Sequence, residues 1–195
     1  MKTNNFLKLL VRDVNHNAGA IDLIGDDGNT VSCKMYYEPS YTGYVAFFSP
    51  GYPYDSSNCG FFKGTLARIG NGTTSFSTGG NQDTYQPKMG IILGDGNTPP
   101  DPTDYWLSGN MITDFTASVA MTCTIENNKV VVVGVYTINN TSSSAFTIRE
   151  IGFARSAVDN SSASKAILLM RDVLDTPITV AGNGQATFEY RLTAG

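Results

Sequence analysis

The residues able to do acid–base or nucleophilic chemistry are few, and their spacing does not suit them to it. The single histidine, His16, sits in the turn-like Asn15-His16-Asn17, and nothing around it resembles a serine or cysteine triad neighbourhood. Cys33, Cys59 and Cys123 are scattered without a Cys-x-x-Cys spacing, and their odd number makes a poor disulfide framework, so they read as free thiols. Glycosidase chemistry needs two carboxylates in unlike environments; the chain has 13 Asp and 4 Glu, but no feature selects a pair. Asp26-Asp27-Gly28-Asn29, and Asp95-Gly96-Asn97 with Asp101 and Asp104, are oxygen-rich. Neither has the alternating ligands and closing Glu of an EF-hand loop, and Asp in β-turns accounts for both. Gly94-Asp95-Gly96 follows an apolar run, as a phosphate loop would, but Pro99 and Pro100 forbid the helix such a cradle requires. No residue is therefore given a catalytic, cofactor-binding or metal-binding role, and the chain reads as a non-enzyme.

Contact chemistry is better supplied. Tyr36, Tyr37, Tyr41, Tyr44, Phe47, Phe48, Tyr52, Tyr54, Phe61 and Phe62 place ten of the 21 aromatic residues within 27 positions, interleaved with Gly, Pro and Ser. Tyrosine couples a rigid apolar ring to a polar tip at low ordering cost, which suits a surface for a partner subunit or a glycan. The other reading is that these rings plug the core beneath a long irregular loop. A second candidate interface is Val131, Val133 and Val135, in a run from Val130 that is apolar on both faces. Such a strand calls for cover on both sides, from a second layer of the chain or from a neighbouring subunit.

The elements that must carry these residues are strands. Few residues favour helix, and no window holds a capped 3.6-residue period; one helical turn within Ser161 to Met170 is the exception. Asp27-Gly28, Asn71-Gly72, Gly79-Gly80, Asp95-Gly96 and Asn183-Gly184 tolerate the positive φ of tight turns. The fold expected is all-β, an antiparallel β-sandwich of jelly-roll-like or Ig-like type with little or no helix. A hairpin should join Ala117–Glu126 to Lys129–Ile138 through Asn127-Asn128, setting Glu126 opposite Lys129 and Cys123 opposite Val132. Ala145 to Arg155 is a strand with a bulge where apolar parity switches near Glu150-Ile151. Ala166 to Asp172 and Pro177 to Val180 are further strands, and Ala186, Phe188, Tyr190 and Leu192 alternate after a Gly182-Asn183-Gly184 turn. One domain over 1–195 is expected, with a Tyr/Gly-rich irregular insertion at about 36–85 and a possible break near 99–105. Leu9 to Val14 matches Leu168 to Val173 at five of six positions, too short a match to prove duplication.

Composition bounds the partners. Charged residues are 15% of the chain, well below the roughly 25% of ordinary soluble domains. Gly, Ser, Thr and Asn (20, 16, 21 and 16) supply 73 residues and do the solvating instead. A net charge of −4 without a basic run argues against nucleic acid. No apolar stretch nears the ~20 residues of a membrane span. The run Phe6 to Val11 is short, broken by Lys8 and followed by Arg12-Asp13, unlike a signal peptide, so cytoplasmic folding is expected.

Three blocks of the sequence resemble a known group. Gly94-Asp95-Gly96-Asn97-Thr98-Pro99-Pro100-Asp101-Pro102-Thr103-Asp104-Tyr105-Trp106-Leu107 resembles a G-x-G-x-T-P-P-x-x-x-D-Y-x-L segment of tailed-bacteriophage virion proteins. Thr147 to Phe153 resembles their I-x-E-I-G strand. Ile167 to Val180, with Arg171-Asp172-Val173 and Asp175-Thr176-Pro177-Ile178-Thr179-Val180, resembles their R-D-V-x-D-T-P-I-x-V strand pair. The resemblance covers about Ile91 to the C-terminus and leaves the aromatic segment outside. It implies a virion structural protein of tail, fibre, head-fibre or capsid-accessory type, and brings no catalytic residues. The partners it implies are further copies of the chain, a trimer before a dimer, other virion proteins, and a host-surface glycan if the protein is adhesive. It implies location in the virion, after assembly in the bacterial host cytoplasm.

Overall fold

The computed structural model describes residues 1–8, 20–34, 69–70, 90–127, 129–158 and 164–194. Nine strands follow in chain order: β1 (Ala20–Ile24), β2 (Thr30–Lys34), β3 (Ile69–Gly70), β4 (Gly90–Gly94), β5 (Phe115–Glu126), β6 (Lys129–Asn140), β7 (Phe146–Val158), β8 (Ser164–Val180) and β9 (Gln185–Ala194). They form a β3-β4-β7-β8 sheet, a β5-β6-β9 sheet and the β1-β2 hairpin. Every pairing is antiparallel except β3 with β4. The protein is all-β and sandwich-like.

Its core lies between the two larger sheets. Ile91, Leu93, Ile151, Phe153, Ile167 and Leu169 from one meet Phe115, Tyr136, Ile138 and Phe188 from the other, and Phe6, Leu23 and Val31 close the side. Each such side chain, fully buried, contributes about 1.5–3 kcal/mol. The rings of Tyr136 and Phe188, register partners on β6 and β9, stack at 5.3 Å between centroids. Alternation sends Ile92, Ala154 and Leu168 to the opposite face, where Leu107, Trp106 and Met111 cover them. The first sheet is thus buried on both faces, which explains the unbroken apolar run of β4.

Much of the local reading holds. The β5-β6 register pairs Glu126 with Lys129 and Cys123 with Val132, and Asn127 takes φ 52° in the turn. The β7-β8 register shifts between Ile148 and Glu150, which turns Ile148 to the core and Glu150 to the opposite face. Asn183 has φ 54° in the turn before β9.

Three expectations change. The turn allowed within Ser161 to Met170 is strand from Ser164 onward, because Ile167 and Leu169 fit the sandwich interior by a period of two. The two strands expected over Ala166 to Val180 are one, since β8 continues through an irregularity at 174–177 that takes up Pro177. A short helix at residues 4–8 went unforeseen. The Thr3 hydroxyl accepts from the Phe6 N–H at 3.4 Å and caps it, and one turn is too short to show a period.

The free side of β8 is covered. Thr3 N donates to Leu169 O and Arg171 N to Met1 O, both at 2.9 Å, and Asp26 N donates to Ala166 O at 3.0 Å. On β6 the even positions 134, 136 and 138 are buried. Odd positions face outward, where Val131 is buried, Val133 half-buried and Val135 38% exposed. Cover on both sides of this strand therefore reaches Val131 and not Val135.

The ring of Tyr136 lies across Gly134, so a β-carbon there would come within 2.5 Å of it. Gly134→Ala is expected to lower unfolding stability by about 1–3 kcal/mol through overpacking, read as a lower urea midpoint at unchanged slope.

Candidate functional site

The chemically distinctive place in the molecule is a buried ion cluster on the outer face of the β3-β4-β7-β8 sheet. Arg171 on β8 is 1% exposed and Glu150 on β7 is fully buried. Arg171 Nε donates to Glu150 Oε2 at 2.6 Å, Nη1 to Asp104 Oδ2 at 2.7 Å, and Nη2 to the Thr98 carbonyl at 2.7 Å. Desolvation alone would lower the guanidinium pKa. The hydrogen bonds and charges of Glu150 and Asp104 outweigh it and hold the group above its usual range.

Glu150 accepts from four more donors. Gly96 N and Gly109 N reach Oε1 at 3.1 and 2.8 Å, and Ser108 N and Oγ reach Oε2 at 3.0 and 3.2 Å. The loop after β4 does make an anion cradle of backbone amides, and the anion it holds is the protein's own carboxylate. Close approach requires glycine here: a β-carbon on Gly96 would collide with Ser108 and the Gly109 backbone, and one on Gly109 with Gly96. Leu107 then seats against Gly94 and Gly152, which have no side chain to exclude it.

The loop's acidic residues serve the same end. Asp104 Oδ2 also accepts from Asp101 N at 2.9 Å, and Asp95 accepts from Asn110 N at 2.6 Å. Asp101, held by the Thr103 hydroxyl and N–H, has its pKa lowered. In the β1-β2 turn, the Lys165 ammonium at 2.8 Å and the Asn29 N–H hold the Asp27 carboxyl below the usual range. Among the described residues, no three His, Cys, Asp or Glu side chains gather as a metal site would need. With five donors on Glu150, the cluster offers no open position to a substrate. Its work is to pin residues 95–110 to the sheet and present Tyr105, 46% exposed, outside.

Of the candidates read from sequence, Tyr36, Tyr37, Tyr41, Tyr44, Phe47, Phe48, Tyr52 and Tyr54 lie outside the described residues, as does His16. Val131, Val133 and Val135 share the outer face of the β5-β6-β9 sheet. Sequence reasoning did not foresee the cluster. Its signal was a charge set directly against an apolar run in each of two strands, Glu150 before Ile151 and Arg171 after Met170.

Two outcomes are expected. Arg171→Met, which strands Glu150 without its cation, should cost about 3–5 kcal/mol, and Asp104→Asn, at a quarter-exposed site, clearly less. Loop release is read in parallel from the fluorescence of Trp106, the single tryptophan. Burial raises the pKa of Tyr136, and burial with the adjacent Asp172 carboxylate raises that of Tyr190. Both exceed the unfolded value of about 10, so their contribution is full below pH 10 and lost as pH climbs above it. Thermal melts should fall beyond pH 10, with these two rings ionising only as the fold opens. In comparisons with known proteins, no family model, no curated protein and no solved structure matches the chain.

Proposed function

We propose that this protein is a structural subunit of a tailed-bacteriophage particle that self-associates and docks to other virion proteins. Within that class a tail or fibre-associated component is favoured, and a capsid decoration or head-fibre protein is the alternative. One observation carries the reading. The three sequence blocks that resemble virion proteins are distant in the chain, yet their distinctive residues meet at one place. Gly94, Gly96, Asp104 and Leu107 from the first block, Glu150 and Gly152 from the second, and Arg171 from the third build the same cluster. The residues that carry the resemblance are thus residues that this fold uses together, which supports the reading.

The surface chemistry supports it as well. The outer face of β5 presents Thr116, Ser118, Ala120, Thr122 and Thr124, all exposed and uncharged, beside Val133 and Val135. The charges that share this face lie at its margins, Glu126 at the end of β5 and Glu189 and Arg191 on β9. Arg191 pairs with Glu126 at 3.0 Å, so the middle of β5 can be covered at a subunit contact without stranding an ion.

Mass spectrometry of purified particles should find the chain at stoichiometric level, and light scattering should find the isolated chain oligomeric. A chain missing from particles and monomeric at high concentration would sink the proposal. An adhesive, carbohydrate-binding role would show instead as glycan-array binding by the monomer, abolished by Tyr44→Ser, Tyr52→Ser and Tyr54→Ser together without loss of thermal stability.

A further inference from the structure

The strand edges of the sandwich are treated unequally. β8 is covered by residues 1–3 and by Asp26, and is broken at 174–177 by an irregularity containing Pro177. β9 carries the exposed Glu189 and Arg191. Among the described residues, β5 has none of these protections. It runs twelve residues against β6 in unbroken register, without proline, and its only charge is the terminal Glu126.

The direction of its backbone groups follows from one hydrogen bond. Thr141 N donates to Asp114 O at 2.9 Å, and Asp114 falls in the same alternation as Glu126, which flanks the two-residue turn. Even-numbered residues of β5 therefore exchange hydrogen bonds with β6. The N–H and C=O groups of Ala117, Val119, Met121, Cys123 and Ile125 point to the other side, where no strand lies among the described residues. An uncharged, regular edge of this length is a pairing template, which folded proteins normally blunt.

We propose that this edge pairs antiparallel with the same edge of a second copy, about a two-fold axis through Met121. The two sheets then join as β9-β6-β5-β5-β6-β9. The inference rests on the self-association in the proposed function and supplies its interface. The second copy is the fitting occupant because the strand is complementary to itself. An axis normal to the sheet keeps each face continuous only if opposed residues share a face, which restricts the register to steps of two. With the axis at Met121, Thr116 meets the second copy's Glu126, Ser118 meets Thr124, and Ala120 meets Thr122, so no like charges oppose. With the axis at Ala120, Glu126 would oppose Asp114, and like charges directly opposite are unfavourable. A threefold ring would instead have to join β5 to β9 of the next copy, an edge that bears Glu189 and Arg191 and lacks this self-match.

The test is light scattering of the full chain over a concentration series, with variants at exposed outer-face positions. Thr116→Glu, facing Glu126 twice per dimer, should weaken the dimer on the order of tenfold. Thr116→Lys at the same position should hold or tighten it. Ala120→Lys with Thr122→Lys, which oppose each other across the axis, should yield monomer with unchanged circular dichroism. That pattern establishes the pairing. Equal weakening by Thr116→Glu and Thr116→Lys overturns the register. A trimer, or an oligomer indifferent to all three variants, overturns β5 as the interface and leaves self-association standing. A wild-type chain monomeric at every concentration overturns both.

Discussion

Burying the guanidinium of Arg171 is the constraint on which the described structure turns. A cation taken out of water loses several kcal/mol of hydration, and only good geometry with full hydrogen bonding returns it. Glu150 supplies the opposing charge from the neighbouring strand, and Asp104 and the Thr98 carbonyl each take a further N–H from the loop. Glu150 in turn has acceptor capacity left over, which the loop amides of Gly96, Ser108 and Gly109 fill. Each group is acceptable in the interior because the next is present, so the cluster behaves as a unit. A loop rich in proline and aspartate is thereby fixed so that its Trp106 and Leu107 lie over Ile92, Ala154 and Leu168.

The same economy of charge shapes the surfaces. With few Lys and Glu available, the outer strand faces are solvated by threonine and serine hydroxyls. Some of these pair across strands, as Thr137 with Thr187 at 3.2 Å and Thr147 with Thr179 at 3.1 Å. Some of the charges that remain do structural work, Arg171, Glu150 and Asp104 above all. Asn140 plays the neutral counterpart of Arg171: it is buried, and its amide donates to Ser144 O and Ala181 O at 2.9 and 3.0 Å, tying two turns together. A surface so poor in ions has little electrostatic resistance to being covered.

Much of the fold was legible because strand physics is local. The Asn127-Asn128 turn fixes the β5-β6 register by counting outward, and the switch of apolar parity between Ile148 and Ile151 announces the bulge. The helix at residues 4–8 was not legible, since one capped turn shows no period. The merging of two expected strands into β8 was hidden by Pro177, which reads as a strand opening until a partner strand shows that it sits in an irregularity. The buried cluster escaped for a different reason. Asp104, Glu150 and Arg171 lie tens of residues apart, and each alone reads as a surface charge. Only the pairing of β7 with β8 sets two of them side by side.

What the sequence determined by itself was the class of structure and its chemical temperament: all-β, sparing with charge, rich in turns, and without a recognisable set of reactive groups. Those properties follow from residue types and periods, which act over a few positions. Which charges are buried, which strand edge has no neighbour among the described residues and which glycines are indispensable were decided by the tertiary structure. These depend on groups brought together across the chain, and the energy of a contact exists only once both partners have left water for the same place.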